Sequence, residues 1–171
     1  MESIGTKNQQ SNHKLNIIIG NWATKTLMLD FDNTPLGEVK LWCFRLYVWF
    51  GLGGFIILQS SQRILAAKDK RTGKIIFRYR IGSYLVVFNR EVTWKQNVRI
   101  MNWIALESGN IGLQNYVRMQ CIKGSSTLRL SNKGKKPFPK PIFHHGSQDK
   151  MIAEFLDNRQ FILDFLNNSA C

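Results

Sequence analysis

The sequence predicts a single-domain α+β fold, an α/β layer in which a mixed sheet is flanked by helices. Strand-like apolar segments are interspersed with segments whose apolar residues recur every three or four positions, as in amphipathic helices. The chain has 171 residues, 44% of them hydrophobic, which is enough for one substantial core. Because no linker-like stretch divides it, we expect one domain over residues 24–171 after a flexible polar arm over 1–23.

The first part of the chain predicts a β-α-β order. Residues 24–31 form a strand-like run, and Thr34 followed by Pro35 is a typical helix start, with threonine as the N-cap. Apolar residues at helical spacing carry this helix to about residue 50, where a glycine-rich stretch ends it. The continuously apolar residues 55–58 predict a short buried strand.

A basic β-hairpin insertion is predicted next. The pair Thr72-Gly73 is a turn signal between two strand-like arms over 64–67 and 74–80. Residues 84–88 predict another buried strand after this hairpin.

The second half of the chain predicts more helix than strand. Thr93 and Gln96 have the spacing of a capping box, at the start of a helix expected to end near 108–109. The later segments predict, in chain order, a helix over 113–122, a strand over 126–130, a loop over 131–141 and a closing amphipathic helix over 148–166.

The charge balance indicates a phosphate-rich partner. The chain carries 24 Lys and Arg against 11 Asp and Glu, a net charge of +13. Such an excess is typical of proteins that bind nucleic acid or an anionic membrane surface, and a merely basic surface is the alternative. A membrane span is not expected, because the apolar run over 41–58 is interrupted by Arg45 and by glycines.

Cysteine usage indicates a reducing compartment. Cys43, Cys121 and Cys171 are far apart in sequence, so we expect neither a disulfide framework nor a zinc site. The polar amino terminus lacks the apolar core of a signal peptide, and a cytoplasmic location is expected.

The most informative motif is the acidic pair Asp30 and Asp32. Period-2 alternation places both carboxylates on one face of a strand. Neighbouring carboxylates repel each other, and such a pair is suited to a divalent cation, here Mg²⁺ or Mn²⁺ for phosphate chemistry. The alternative is a pair of strand-end acids that face water and cap the next helix.

A second candidate site is the basic segment 123–137, which holds five cations and no acid. Its small hydroxyl and glycine residues allow close approach to phosphate oxygens. The residues expected to contact nucleotide or phosphate are Lys123, Ser126, Arg129 and Lys133, and those expected to contact nucleic acid more generally are Lys135 and Lys136. The alternative is a solvated basic loop.

The predicted hairpin supplies a third set of cations. Those expected to bind nucleic acid are Lys70, Arg71, Lys74, Arg78 and Arg80. Alternation puts Phe77 and Tyr79 on the face opposite the two arginines, where we expect core packing in preference to base stacking.

These motifs, in this order, resemble the archaeo-eukaryotic primase superfamily, and are most similar to primase-polymerase-like domains of replication proteins from archaeal plasmids and other mobile elements. The matching residues are 29–32 for the first motif, 83–88 for the second, and Arg129, Ser131 and Lys133 for the late basic motif. The resemblance implies a primase-like core that binds DNA during replication together with other replication proteins. It also implies a nucleoside triphosphate substrate and an acidic pair that is catalytic and binds the metal.

Two departures from the family pattern bear on catalysis. The second motif of the family ends in a histidine that contacts the incoming nucleotide, but the matching residue is Leu85, which has no hydrogen-bonding side chain. A third acidic ligand is also missing, since no acid lies between Glu107 and Asp149. Three functions therefore stay open. They are a primase/polymerase-type nucleotidyltransferase with a degenerate active site, a catalytically inactive DNA-binding protein of the same fold, and a basic peripheral membrane or scaffold protein.

Overall fold

The computed structural model describes residues 20–130 and 137–168, which form six strands and four helices. The strands are β1 (Gly20–Ala23), β2 (Thr26–Thr34), β3 (Gly54–Lys68), β4 (Ile75–Glu91), β5 (Ser126–Arg129) and β6 (Lys140–Gly146). The helices are α1 (Leu36–Phe50), α2 (Trp94–Glu107), α3 (Ile111–Lys123) and α4 (Met151–Asn168). The predicted single-domain α+β fold is confirmed.

The main sheet has the strand order β2-β4-β3-β6, and β1 pairs with β5 in a second, two-stranded sheet. Every pairing between described strands is antiparallel, so the sheet is not mixed as predicted. The reason is that β4 inserts between β2 and β3 and pairs with both. The two strands joined by α1 therefore run in the same direction without touching, in a split β-α-β arrangement.

The helix ends follow the local sequence with one exception. Thr93 and Gln96 form the predicted capping box of α2, and Gly51 ends α1 in the left-handed conformation. The N-cap of α1 is Pro35 and not Thr34, because β2 extends through Thr34 and keeps that residue extended.

Two long strands replace four short predicted ones. Residues 55–58 and 64–67 both belong to β3, and residues 74–80 and 84–88 are joined in β4. Two further strands were missed. β1 occupies the last four residues of the predicted flexible arm, whose residues 1–19 lie outside the described ranges. β6 contains Pro141, which a strand at the edge of a sheet tolerates because one side of it needs no backbone donor.

Both faces of the main sheet are covered over part of their area. On one face, Leu29 and Phe31 of β2 pack under α1, α2 and α3. On the other face, Met28 packs with Leu128 of β5 and Phe155 of α4. Since side chains alternate along a strand, the acidic pair shares this second face with Met28. No helix in the described ranges is both long enough and apolar enough to cross a bilayer.

Candidate nucleic-acid interface

The acidic pair lies inside β2, on the second face of the sheet. Asp30 is half-buried and Asp32 is exposed. Asp30 stands opposite Leu85 of β4, which in turn pairs with Leu58 of β3. Both leucines are buried, so Asp30 lies at the edge of the apolar core on this face of the sheet. We predicted a strand that ends at residue 31, but β2 continues to Thr34, and the acids therefore do not flank a loop.

Contacts from two other elements hold the end of β2. Asn33 has a left-handed φ of 54°, and its Oδ1 accepts a hydrogen bond of 3.0 Å from Nη2 of Arg63 in β3. Thr34 Oγ1 donates to the Asp32 carbonyl oxygen at 3.0 Å and accepts from Nδ2 of Asn110, the N-cap of α3, at 2.9 Å. The position of Asp32 therefore depends on both β3 and α3.

The fold brings Arg129 and Tyr116 to the acidic pair. Arg129, on β5, is half-buried; burial lowers the pKa of its guanidinium, and the charges of Asp30 and Asp32 act in the opposite direction. The Tyr116 hydroxyl donates a hydrogen bond of 3.0 Å to the Met28 carbonyl oxygen. Burial, aided by the charge of Asp30, raises the pKa of this phenol well above its ordinary value. Sequence reasoning gave Tyr116 no role beyond its place on a helix.

A groove of about 500 Å³ begins beside Arg129. It is lined by residues of β3 and β6 and of the segment before β6, among them Ser60, Gln62, Pro137, Phe138 and Lys140. The Pro137 carbonyl oxygen accepts a hydrogen bond of 3.3 Å from Nη1 of Arg129, which links the groove to the acidic pair. The polar side chains and the exposed Lys140 suit contact with phosphates, whereas the ring of Phe138 already lies under the guanidinium of Arg159, whose Cζ is 4.7 Å from the ring centroid.

The residues of the basic segment that were predicted to bind phosphate or nucleic acid lie in different environments. Ser126 is fully buried, and its hydroxyl contacts Nδ2 of Asn97 at 3.3 Å and Sδ of Met101 at 3.7 Å. The prediction that Ser126 binds phosphate is therefore wrong, because the alternation of β5 turns this side chain into the core. Lys123 is exposed at the end of α3. Lys133, Lys135 and Lys136 lie outside the described residues.

The basic hairpin extends beyond the rest of the sheet. β6 pairs with β3 only as far as Gln59, and β2 pairs with β4 from Glu91 only as far as Gly82. We call residues 63–81 the hairpin arm; among the described strands, its two halves pair only with each other. The five residues predicted to bind nucleic acid from the hairpin all lie in this arm, and all are exposed.

The tip of the hairpin arm is held by one carboxylate. Asp69 Oδ1 accepts hydrogen bonds from the backbone N–H and the hydroxyl of Thr72 and from the backbone N–H of Arg71. These bonds lower the pKa of the Asp69 carboxyl. The Asp69 N–H also donates to the Lys74 carbonyl oxygen at 2.8 Å, so the turn is closed by several bonds and its shape is set before any ligand arrives.

The two faces of the hairpin arm have different side chains, and both face solvent. Arg78 stands opposite Ala66, and Arg80 stands opposite Ile64, on one face. Tyr79, on the other face, is 43% exposed. The prediction that Tyr79 belongs to the core is therefore wrong, because no helix covers this part of the ribbon in the described structure; the side chain of Phe77 lies outside what is described.

The hairpin arm contains far more cations than acids. Residues 63–81 contain seven Lys and Arg and one acid, Asp69. An ion pair of 2.9 Å joins Lys25 and Glu91, both of which lie outside the arm. The arm therefore has a strong positive field along its whole length, as expected for a surface that binds a polyanion.

No family model, curated protein or solved structure matches this chain. The resemblance to the primase superfamily therefore stays a prediction from motifs.

The acidic pair fits a metal ion only in part. Among the described residues, no group of three His, Cys, Asp or Glu side chains is close enough to hold a metal. A Mg²⁺ or Mn²⁺ ion on Asp30 and Asp32 would need further oxygens from water and bound phosphates, as magnesium commonly does. The charge of Arg129 near both acids works against such an ion, because two cations would share the same carboxylates.

Proposed function

We propose that this protein is a nucleic-acid-binding domain, with DNA preferred to RNA, and that the hairpin arm is its principal contact. The observation that carries the proposal is an arm with seven cations and one acid that projects beyond the sheet with both faces open. Lysine and arginine that neutralise phosphates release condensed counterions, which is the main source of sequence-independent affinity. A cytoplasmic location and action beside other replication proteins belong to the same proposal.

The groove beside Arg129 would extend this contact onto the body of the domain. Gln62 lines the groove and directly precedes Arg63, the first residue of the arm. A phosphate backbone that follows the arm to its base would therefore enter the groove, where Lys140 is exposed. The acidic pair near Arg129 repels phosphate and limits how far the backbone can go.

The proposal is tested by titrating labelled single- and double-stranded DNA and RNA at several salt concentrations. We expect affinity to fall steeply with salt, since the slope of log K against log[salt] is about −0.9 per neutralised phosphate on duplex DNA. Replacing Lys68, Lys70, Arg71 and Lys74 by glutamine should lower affinity at least about tenfold and make the slope shallower by up to about 3 to 4.

A matched control separates the arm from overall charge. Lys95 and Arg99 are exposed on α2, and changing both to glutamine should leave affinity within about twofold if the contact is local. Circular dichroism would verify that both variants are folded. Absence of binding at low salt, or equal losses in the arm and control variants, would reject the proposal.

Nucleotidyl transfer is a second candidate, favoured by the two carboxylates that β2 carries on one face, with Asp30 half-buried and Asp32 exposed. Asp30 and Asp32 would hold a Mg²⁺ or Mn²⁺ ion that polarises the phosphates of a nucleoside triphosphate, and Arg129 would bind phosphate oxygens. Lys123, to which the same role was assigned, lies at the opposite end of α3 from Gly112, which adjoins Asp32. Against this candidate, the position to which the resemblance assigns a nucleotide-contacting histidine is Leu85, directly opposite Asp30. A leucine there offers the nucleotide no hydrogen bond, which favours binding without catalysis.

The acidic pair can be tested separately from the arm. Asp30→Asn with Asp32→Asn should abolish Mg²⁺-dependent nucleotide binding and primer extension if the second candidate is right, while binding of DNA persists. Nucleotide binding that survives this change would leave only the binding function. Flotation with acidic lipid vesicles, performed in parallel, tests the membrane or scaffold alternative, which predicts vesicle binding that DNA does not displace.

A further inference from the structure

The hairpin arm has the dimensions of a ribbon that enters a nucleic-acid groove. It runs from the pair Arg63–Ile81 to the pair Lys68–Ile75. At about 3.3 Å per residue these five steps span roughly 17 Å before the turn. The major groove of B-form DNA is about 12 Å wide and 8.5 Å deep, and it admits a two-stranded β-ribbon. The arm is therefore longer than that groove is deep.

The distribution of side chains on the arm favours a duplex over a single strand. A surface for single strands combines stacking aromatics with cations that follow the backbone on the same side. On this arm Tyr79 and the arginines 78 and 80 alternate along β4, so they lie on opposite faces. A single strand on the face of Tyr79 would meet Arg63, which stands opposite Ile81, but neither Arg78 nor Arg80, so it would reach only part of the cations of the arm. A groove surrounds the ribbon and can contact both faces and the tip at once.

The residue opposite Arg78 leaves that side chain room to reach a groove. Ala66 stands opposite Arg78, and its small side chain does not cover the guanidinium. Asp69 holds the turn closed, so the ribbon does not have to be ordered on binding and loses less entropy than a flexible loop would.

We propose that the hairpin arm inserts into the major groove of double-stranded B-form DNA. This inference rests on the proposed nucleic-acid binding and names its substrate. Arg78 and Arg80 contact base edges or phosphates from one face, and the tip lysines and arginine contact the flanking phosphates. The minor groove of B-form DNA is only about 6 Å wide, so a ribbon enters it only where the duplex is widened or bent, and the major groove of A-form RNA is deep and narrow.

The experiment compares duplexes that differ only in groove occupancy. One duplex has unmodified cytosines, and the other has glucosylated 5-hydroxymethylcytosines, whose sugars fill the major groove. We expect the full chain to bind the filled duplex at least about tenfold more weakly, whereas netropsin, which fills the minor groove, should change affinity less than about twofold. Equal affinity for the two duplexes, or strong competition by netropsin, would overturn the proposal.

A variant tests the same point from the side of the protein. Arg78→Gln with Arg80→Gln should lower affinity for unmodified duplex about tenfold or more, and should remove protection of guanine N7 from dimethyl sulfate, while Lys95→Gln with Arg99→Gln leaves both unchanged. Guanine N7 that the wild-type chain leaves unprotected would also contradict groove insertion. If the chain binds no nucleic acid at low salt, the proposed function fails as well. Tight binding of DNA with the same affinity for the open and the filled major groove would overturn only the proposal that the arm inserts into this groove.

Discussion

An alanine at Gly82 should destabilise the domain, because this glycine lies where the hairpin arm leaves the sheet. A Cβ at this position would lie 2.7 Å from the Ser61 carbonyl oxygen and 2.7 Å from Cζ and Oη of Tyr84. The carbonyl belongs to the ladder between β3 and β4, and Tyr84 is only 1% exposed, so neither neighbour can move cheaply.

The expected magnitude follows from overpacking. Forcing a methyl group into a close-packed site costs about 1 to 3 kcal/mol. In a chain of this length each kcal/mol lowers the melting temperature by about 2 to 4 °C, so a 2 kcal/mol cost corresponds to a drop of roughly 6 °C. Gly37 offers the matched control: a Cβ there meets no atom within 4 Å, and the residue lies in the first turn of α1. Alanine at Gly37 should stabilise by up to about 1 kcal/mol.

The assay is urea unfolding followed by tryptophan fluorescence and circular dichroism, with DNA affinity measured on the same samples. Gly82→Ala should lower the urea midpoint, and Gly37→Ala should leave it unchanged or raise it. The reasoning would be refuted if Gly82→Ala unfolded at the wild-type midpoint or later, because the space between Ser61 and Tyr84 would then have to accept a methyl group.

Three further predictions concern stability and reactivity. Thr93→Ala removes the capping box of α2 and should cost about 1 kcal/mol, measured as a lower urea midpoint; an unchanged midpoint would show that the cap contributes nothing. Burial raises the pKa of the Cys43 thiol while Cys121 is exposed, so a thiol reagent at about pH 8 should label Cys121 before Cys43. Faster labelling of Cys43, measured by mass spectrometry, would contradict this. A hydrogen bond from Ser147 is the main cause that lowers the pKa of the Asp149 carboxyl from its ordinary 3.8. The stability that the ionised Asp149 carboxyl contributes is present above pH 3.8 and is lost as the pH falls towards its lower pKa in the folded protein. The stability of Asp149→Asn should therefore depend less on pH below about 4 than that of the wild-type chain. An acid-unfolding transition identical to that of the wild type would contradict this.

Local sequence patterns were sufficient to predict where the helices α1 and α2 begin and end. The capping box at Thr93, the glycine at position 51 and the three- and four-residue spacing of apolar side chains place α1 and α2 to within a residue or two. These signals are short-range, because a cap or a helical stripe is formed by residues that are neighbours in sequence.

The strands were predicted less well because their pairing is non-local. β1 and β6 carry weak apolar patterns and exist because β5 and β3 supply partners for them. The alternation of residues around Tyr79 correctly predicted which side chains of β4 share a face. It does not predict whether another element covers that face, and Tyr79 is exposed. Ser126 shows the converse error: a polar residue in a basic segment was assigned to the surface and lies in the core.

The amino-acid sequence alone determined that this is an α+β protein, that its charge is strongly positive, that a basic hairpin interrupts it, and that Asp30 and Asp32 share one face of a strand. Each of these properties depends on composition or on residues close together along the chain. Only the tertiary structure brought Arg129 and Tyr116 to those acids and carried the hairpin beyond the sheet. The physical reason is that these relations join residues tens of positions apart, and strand pairing and packing, which no local pattern records, decide which of them meet.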